Sequence, residues 1–376
     1  MYEHQGLQDV FFIMLYGSVA MMAFLAGVYL VLRQNNALSP TIKSPYSLRC
    51  WAAAFLFAVT ASHVWWCVLG IHWLTEDRLL RNIVAISLDR LTFVPLMMCT
   101  LMRMLQDRRR SLLPVAIAMV PFAVIAVVSI ATHDQNYELY TEWYSLLLCF
   151  LFLITYIFAL RQYGRWLRDN FADLEHKEVW QSLVLFSFTL LVYLVYTTSG
   201  GALFTEYLAQ IFTVFIVIFV VWRVETLQEL QVAEASVPLV HAEKNPDEMG
   251  ENEQISSAVV LPDDIGKMLQ KHCIKRKIYL TNDLTMTQLC EMVGTNRTYL
   301  GLYFAQQNVT YNTYINTLRI EHFVSLYHHA VESNSPFVTK NLVYQSGFKS
   351  YSTFAYAFKR IKGMSLQEWI KEQGAQ

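Results

Sequence analysis

Long apolar stretches fill the first 222 residues, and their length limits the fold more than any other feature of the sequence. A helix needs roughly 20 apolar residues to cross the hydrocarbon of a bilayer. Seven stretches approach or exceed that length, at residues 10–32, 50–74, 82–102, 112–132, 143–160, 180–203 and 208–222. The last stretch is short unless residues 204–207 join it. The sequence therefore predicts a polytopic bundle of about seven spans, with six or eight as the alternatives.

The loop charges predict the orientation of this bundle. The loops after spans one, three and five carry the basic residues Arg33, Lys43, Arg49, Arg103, Arg108, Arg109, Arg110, Arg161, Arg165, Arg168 and Lys177. The alternate loops contain only Arg78 and Arg81 as basic residues. Because basic loops favour the cytoplasmic side, we expect a multi-pass protein of the cell inner membrane. Its amino terminus would lie outside and its carboxyl-terminal domain in the cytoplasm.

The composition changes after residue 222. Residues 263–376 carry 13 Lys and Arg against 8 Asp and Glu, whereas residues 223–262 carry 2 basic residues against 8 acidic ones. The sequence predicts a transmembrane bundle at 1–222, a linker at 223–262 and a soluble helical domain at 263–376. We expect the linker to begin as a helix over residues 223–235, with Leu227 and Leu230 as a short apolar stripe. It then becomes acidic and poor in large apolar residues, a composition typical of a flexible tether.

Residues 284–307 have the pattern of a helix, a tight turn and a second helix. Gly294 allows the turn, and Asn296 is a suitable cap for the helix that follows. Leu300 and Phe304 then recur at the i, i+4 spacing of a buried helix face. These positions predict a helix-turn-helix unit.

The same pattern recurs about fifty residues later, which strengthens the prediction. Gly347 provides the turn, Ser350 the cap, and Phe354 and Phe358 the buried i, i+4 pair. Residues 310–329 between the two units have the apolar spacing of a long amphipathic helix. Such a helix can hold two recognition helices so that they enter successive major grooves, about 34 Å apart. The predicted fold is all-α: a polytopic bundle followed by two helix-turn-helix units.

These residues resemble a known family. The strings GTNRTYLGLYF and SGFKSYSTFAYAFKRIKGMSLQEW, with Tyr314, Leu318 and Arg319, are similar to the DNA-binding domain of AraC/XylS-type transcription regulators. The resemblance covers less than a third of the chain and implies DNA-binding activity for residues 263–376. This sequence departs from the family pattern at Val343, Leu302 and Ala305, and at Leu366, where the family often has proline.

The outward faces of the two second helices supply the candidate DNA contacts. These candidates are Asn296, Arg297, Thr298, Gly301, Leu302, Ser350, Tyr351, Ser352, Ala355, Tyr356, Lys359 and Arg360. Few of them are bidentate base readers, so we expect modest direct readout supplemented by DNA shape. For Lys359 and Arg360 phosphate contact is favoured over a solvated helix end. Tyr351 and Tyr356 either read bases or pack, whereas Arg319 is expected to pair inside the domain.

The bundle offers three candidate sensor residues. Asp89 and Arg90 lie within span three, where a charge is costly and should face the bundle interior or a wet cavity. Pairing with polar groups of other spans is favoured over sensing for both. His63 stands four residues before Cys67, but the absence of a third ligand favours a hydrogen-bonded histidine over a metal site. Trp65, Trp66 and Trp73 are interpreted as anchors at the membrane interface.

The motifs argue against an enzyme and for a regulator. The spans contain no lysine for a retinal Schiff base and no second aspartate for an aspartyl protease, and no Gly-rich phosphate loop is present. We expect a membrane-integrated one-component transcription regulator without cofactor or metal. The alternative is a receptor or transporter whose helix-turn-helix module binds protein. The expected partners are double-stranded DNA, membrane lipid and an unidentified small-molecule or membrane signal, with RNA polymerase and a second copy of the chain as further candidates.

Overall fold

The computed structural model describes residues 7–33, 43–70, 77–134, 136–198, 203–230, 265–333 and 336–374. Within these ranges the regular structure is helical, and the one strand-like pairing is an isolated bridge between Phe171 and Thr285. The predicted all-α fold is therefore confirmed. The chain divides into a membrane unit, Met1–Tyr163 with His176–Val232, and a carboxyl-terminal unit, Gly164–Glu175 with Ala233–Gln376.

The membrane unit is built from long apolar helices. They are α1 (Leu7–Leu32), α2 (Tyr46–Gly70), α3 (Arg78–Met104), α4 (Leu113–Ala118), α5 (Val120–Thr132), α6 (Asn136–Asn170), α7 (Trp180–Thr198) and α8 (Leu203–Thr226). Among the described residues, six stretches are long and apolar enough to cross a membrane, with α4 and α5 counted as one. The apolar part of α7, Trp180–Val195, is shorter. A count of seven spans thus stays a prediction.

Two details of the predicted spans are resolved by the helix bounds. Helix α8 begins at Leu203, so residues 204–207 do extend the last span. The fourth span is interrupted at Met119, and α5 then starts with Pro121 in its first turn. Proline lacks the amide hydrogen that would continue the α4 ladder, which accounts for the break.

One end of the membrane unit gathers several loops that are distant in sequence. The backbone N–H of Gln228 donates to the carbonyl of His176 at 2.9 Å, and that of Glu229 to the carbonyl of Lys43 at 2.7 Å. The side chain of Gln106 donates to the carbonyl of Gln228 at 2.9 Å and accepts from the N–H of Leu230 at 2.8 Å. The loops after α1, α3 and α6 therefore meet the segment that follows α8.

The helix predicted to continue from the last span ends earlier than expected. Helix α8 stops at Thr226, and residues 227–230 are not helical, so the prediction of a helix through residue 235 is wrong at these four positions. Leu227 and Leu230, the predicted apolar stripe, are buried. The side chain of Gln106 satisfies backbone groups of this segment that a helix would otherwise pair internally. Residues 231–264, which include the predicted acidic tether, lie outside the described residues.

The carboxyl-terminal unit has two hydrophobic cores joined by one helix. Its helices are α9 (Ile265–Met268, continued by a π-helical turn to Ile274), a 3-10 turn (Ile278–Leu280), α10 (Met286–Val293), α11 (Arg297–Gln306), α12 (Tyr311–Glu332), α13 (Thr339–Gln345), α14 (Tyr351–Lys362) and α15 (Leu366–Gly374). Tyr311 and Ile315 of α12 belong to the first core, and Ile320 and Phe323 belong to the second. Helix α12 thus connects the pair α10 and α11 with the pair α13 and α14.

Candidate nucleic-acid interface

The first helix pair, α10 and α11, is held by caps at both starts. Thr285 caps α10 in a capping box with Gln288, because each side chain pairs with the other residue's backbone N–H. Gly294 ends α10 with φ +78°, a left-handed conformation that suits glycine. The side chain of Asn296 then accepts from the N–H of Tyr299 at 2.9 Å. The turn and the cap lie where the sequence predicts them.

The second helix pair, α13 and α14, follows the same plan. Gly347 has φ +86°, and a Cβ there would stand 2.7 Å from the Cα of Leu280, so only glycine fits this turn. Ser350 caps α14 by accepting from the N–H of Thr353 at 3.2 Å. Phe354 and Phe358 are fully buried, as predicted, and the Phe354 ring lies 4.6 Å from that of Phe323.

Most of the candidate DNA contacts are exposed along the outer faces of α11 and α14. The exposed ones are Asn296, Arg297, Thr298, Tyr351, Ser352, Tyr356, Lys359 and Arg360, whereas Gly301, Leu302, Ser350 and Ala355 are partly buried. The charge on the two faces is unequal. Arg297 is the one basic residue of α11, but α14 has Lys359, Arg360 and Lys362 in its last turn. The last turn of α14 would therefore attract a phosphate backbone more strongly than α11 does.

The two arginines near this surface have different environments. Arg360 is exposed and donates to the Oγ1 of Thr313 at 2.8 Å and to the Oδ1 of Asn312 at 3.3 Å. Arg319 is fully buried and donates to the carbonyls of Tyr279 at 2.7 Å and Thr281 at 2.8 Å. Arg319 therefore pairs inside the domain, as predicted, and takes no part in an external surface.

Residues 164–175, which form the end of α6 and the start of the loop to α7, are part of this unit. Ala172 is fully buried in the first core, and its N–H donates to the carbonyl of Leu284 at 3.2 Å. The side chain of Asn312 donates to the carbonyls of Ala172 at 2.6 Å and Phe171 at 3.2 Å. Asn316 adds a bond to the Ala172 carbonyl at 3.3 Å. The 164–175 segment is thus fixed to α12 and to the start of α10.

Two side chains of the 164–175 segment contact α11 and α14, the second helices of the two pairs and the candidate reading helices. The guanidinium of Arg297, the first residue of α11, donates to the Oδ1 of Asn170. The hydroxyl of Thr353, in the first turn of α14, donates to the Oε2 of Glu175 at 3.1 Å. Sequence reasoning missed these contacts. The available signal was the pair Asn312 and Asn316, whose amides stand among the apolar positions of α12 and need polar partners when buried.

Acidic residues of the segment also affect two nearby cations. Burial lowers the pKa of Arg319, and the carboxylate of Asp173 partly offsets that effect. The pKa of Lys349 is raised, mainly by its hydrogen bond to Asp283 at 2.8 Å, with smaller contributions from Asp173 and Glu175. The segment therefore brings negative charge to a basic unit.

In the membrane unit, the candidate sensor residue Asp89 is hydrogen-bonded within the bundle. Its carboxylate accepts from the hydroxyl of Ser62 at 2.6 Å and from the indole N–H groups of Trp65 at 3.1 Å and Trp66 at 2.7 Å. The two tryptophans, interpreted from sequence as interface anchors, are thus partners of Asp89. Trp73 lies outside the described residues.

Arg90 and His63 also have partners from other helices. The guanidinium of Arg90 donates to the hydroxyl of Thr141 on α6. His63 is buried, with Nδ1 at 2.8 Å from the carbonyl of Val59 and Nε2 at 2.9 Å from the side-chain oxygen of Gln210. Both nitrogens of His63 are engaged. Within the described ranges, no three His, Cys, Asp or Glu residues are grouped as metal ligands.

Comparison with known proteins gives one distant similarity. The TCP pilus virulence regulatory protein of Vibrio cholerae, in two strains of serotype O1, is 27% identical to this chain over 114 residues. The match covers 30% of this chain and 39% of that protein. No family model and no solved structure matches the chain. Part of the chain is therefore distantly similar to a regulatory protein, and the chain spans 39% of the length of that protein.

Proposed function

We propose that this protein is a membrane-integrated transcription regulator whose two helix pairs are helix-turn-helix units that bind DNA. The observation that carries the proposal is the repeated frame: α11 and α14 each follow a positive-φ glycine, begin at a polar cap and bury an i, i+4 pair. In such units the second helix enters the major groove. The similarity to a virulence regulatory protein supports the same function.

The contact residues are assigned by what they expose. Lys359 and Arg360 in the last turn of α14 are the proposed phosphate contacts, because their side chains are exposed at the end of a reading helix. Asn296, Arg297, Thr298, Tyr351, Ser352 and Tyr356 line the exposed faces that would meet the groove. Since none of these residues except Asn296 and Arg297 is a usual bidentate base reader, DNA shape should contribute to specificity.

The loop contacts support an orientation with the carboxyl-terminal unit in the cytoplasm. The loops after α1, α3 and α6 lie together at one end of the membrane unit, and the basic residues of this end lie in the first two loops, at Lys177, and in the adjoining turns of α2, α3 and α6. The positive-inside bias assigns that end to the cytoplasm.

The 164–175 segment supports the count of seven spans. This segment and residues 265–374 belong to one compact unit, which requires both to be on the same side if the protein spans a membrane. The chain between them contains α7 and α8, and α8 is long enough to span. A return to the same side requires an even number of crossings, so α7 would cross as well.

A reporter fusion tests the orientation. A reporter fused after Arg110 is expected to report cytoplasm, and a periplasmic signal would contradict the proposed orientation.

Binding of genomic DNA by the intact protein tests the proposed function. The full chain in nanodiscs should enrich particular genomic fragments at physiological salt. If no genomic fragments are selectively enriched, the result would favour the alternative, a membrane receptor or transporter whose helix pairs bind protein. The genes beside the enriched fragments would also indicate which signal the membrane unit detects.

The substitution Lys359→Ala tests the phosphate assignment. It should weaken binding to all duplexes alike and reduce the slope of log affinity against log salt by about 0.9, the value for one phosphate contact. Glu332→Gln is a suitable control, since Glu332 is exposed at the far end of α12. A change in sequence preference for Lys359→Ala would contradict the assignment and place this side chain at a base edge instead.

A further inference from the structure

The 164–175 segment contacts the carboxyl-terminal unit with oxygen acceptors. It offers the backbone carbonyls of Phe171 and Ala172, the amide oxygen of Asn170 and the carboxylate of Glu175. The donors that meet them are an arginine, a threonine hydroxyl and asparagine amides. These are the groups that proteins use to bind phosphate oxygens of DNA.

The contacts involve both candidate reading helices. Arg297 begins α11, and Thr353 lies in the first turn of α14, where the N-terminal turns of reading helices approach the DNA. Asn312 joins the segment to a third candidate contact, because its Nδ2 donates to the segment and its Oδ1 accepts from Arg360. One short segment thus engages parts of both helix pairs.

We propose that the 164–175 segment competes with DNA for the exposed faces of α11 and α14. While the segment is bound to these helices their affinity for DNA is low, and the affinity rises when the membrane unit withdraws the segment. This inference rests on the proposed function. Arg297 cannot donate the same N–H groups to Asn170 and to a phosphate, and Glu175 places a carboxylate beside Thr353 and Lys349, where it repels a phosphate.

The position of the segment in the chain gives the membrane unit a direct way to move it. The segment includes the last turns of α6 and ends at Glu175, immediately before the membrane unit resumes at His176. A shift of α6 would therefore act on the segment through a continuous helix. This route is independent of the predicted helix after α8, which the structure ends at Thr226.

The double variant Asn170→Ala/Glu175→Gln tests the competition. In the full chain in nanodiscs, with a duplex recovered from the genomic selection as the probe, this variant should bind at least about fivefold more tightly than the wild type, the lower range of allosteric couplings. Glu332→Gln is the matched control, since it removes one acidic charge from an exposed site of the same unit. It should change affinity less than about twofold, as expected for one screened surface charge.

Hydrogen exchange provides a second readout that does not depend on substitutions. The N–H of Ala172 is bonded to Leu284, so it should exchange slowly in the free wild-type protein and faster when DNA is added. Unchanged or slower exchange with DNA, or equal or weaker binding by the double variant, would overturn the inference while leaving DNA binding intact. Absence of DNA binding by every form, wild type included, would instead remove the proposed function and this inference with it.

Discussion

The two helix pairs of the carboxyl-terminal unit share a frame but differ in how it is secured and charged. In the first pair, the leading helix α10 has a full capping box, whereas α13 in the second pair follows Val338 without a side-chain cap. In the turn of the first pair, a Cβ added at Gly294 would meet no atom within 4 Å. In the turn of the second pair, a Cβ added at Gly347 would lie 2.7 Å from the Cα of Leu280. The first pair thus depends more on local hydrogen bonds, and the second more on close packing.

The two helix pairs also differ in the number of cations on their second helices. Helix α11 has one cation, Arg297, which is bonded to the 164–175 segment, whereas α14 ends in three exposed cations. The buried positions therefore set the frame of each pair, and the exposed positions set its charge separately. Each of the following substitutions tests one side of this comparison.

The largest effect is expected for Phe354→Ala in the second pair. Phe354 is fully buried and contacts the rings of Phe323, Phe348 and Phe358. Truncation should lower the free energy of unfolding by about 3–5 kcal/mol, through lost burial and the cavity left behind. Hydrogen exchange should show faster opening of α13 and α14 while α10 and α11 stay protected. Tyr356→Ala, at a 69% exposed site of the same helix, should change stability by less than about 0.5 kcal/mol. Equal loss of protection in both pairs would show that they form one cooperative block.

The two turn glycines should respond unequally to alanine. Both have positive φ, which costs about 1–2 kcal/mol for a residue with a Cβ. At Gly294 the added Cβ meets nothing within 4 Å, but at Gly347 it would lie 2.7 Å from backbone. Denaturant titration should give about 1 kcal/mol of destabilisation for Gly294→Ala and about 2–4 kcal/mol for Gly347→Ala, because overpacking adds to the conformational cost. Similar losses at both sites would contradict the proposed difference in packing.

The caps of α11 and α14 should contribute about equally. Asn296→Ala and Ser350→Ala each remove an acceptor for a first-turn N–H and should each cost about 1 kcal/mol. Ser352→Ala is the control for the second pair, since Ser352 is exposed and follows the cap. If Ser350→Ala lowered the free energy of unfolding no more than Ser352→Ala does, neighbouring hydroxyls would be replacing the cap.

The smallest effect is expected for Lys349→Met, which removes the ion pair with Asp283. Both side chains are partly exposed, at 43% and 37%, so solvent screening limits the loss to about 0.5 kcal/mol. The folded-state pKa of Lys349 is raised above its ordinary value of 10.5, mainly by the hydrogen bond to Asp283. Its contribution is therefore complete at neutral pH and is lost as pH rises through the folded-state pKa, above 10.5. A wild-type advantage that persisted well above that pH would contradict the assignment.

Much of the frame could be predicted from the sequence because it depends on residues close together in the chain. Apolar runs of span length, glycine before a polar cap and i, i+4 aromatic pairs all act within one helix or one turn. The caps at Asn296 and Ser350 and the buried pair Phe354 and Phe358 lie where these patterns indicate. The pairing of Arg319 inside the domain was also predicted, although its carbonyl partners were not.

Contacts between distant residues could not be predicted in this way. The sequence interpretation placed Trp65 and Trp66 at the membrane interface but did not identify their hydrogen-bond partner, which in the structure is Asp89. It also extended the helix after the last span, which ends at Thr226 because Leu227 and Leu230 are buried and Gln106 pairs with the backbone there. Each of these outcomes depends on a partner more than twenty residues away.

The sequence by itself determined that this protein is all-α, that its apolar helices are long enough to span a membrane, and where the turns and caps of the two helix pairs lie. Only the tertiary structure decided that the 164–175 segment belongs to the carboxyl-terminal unit. The physical reason is that this segment is held largely through the carbonyls of Phe171 and Ala172. Every residue has a backbone carbonyl, so no sequence pattern marks the ones that a distant asparagine will bind.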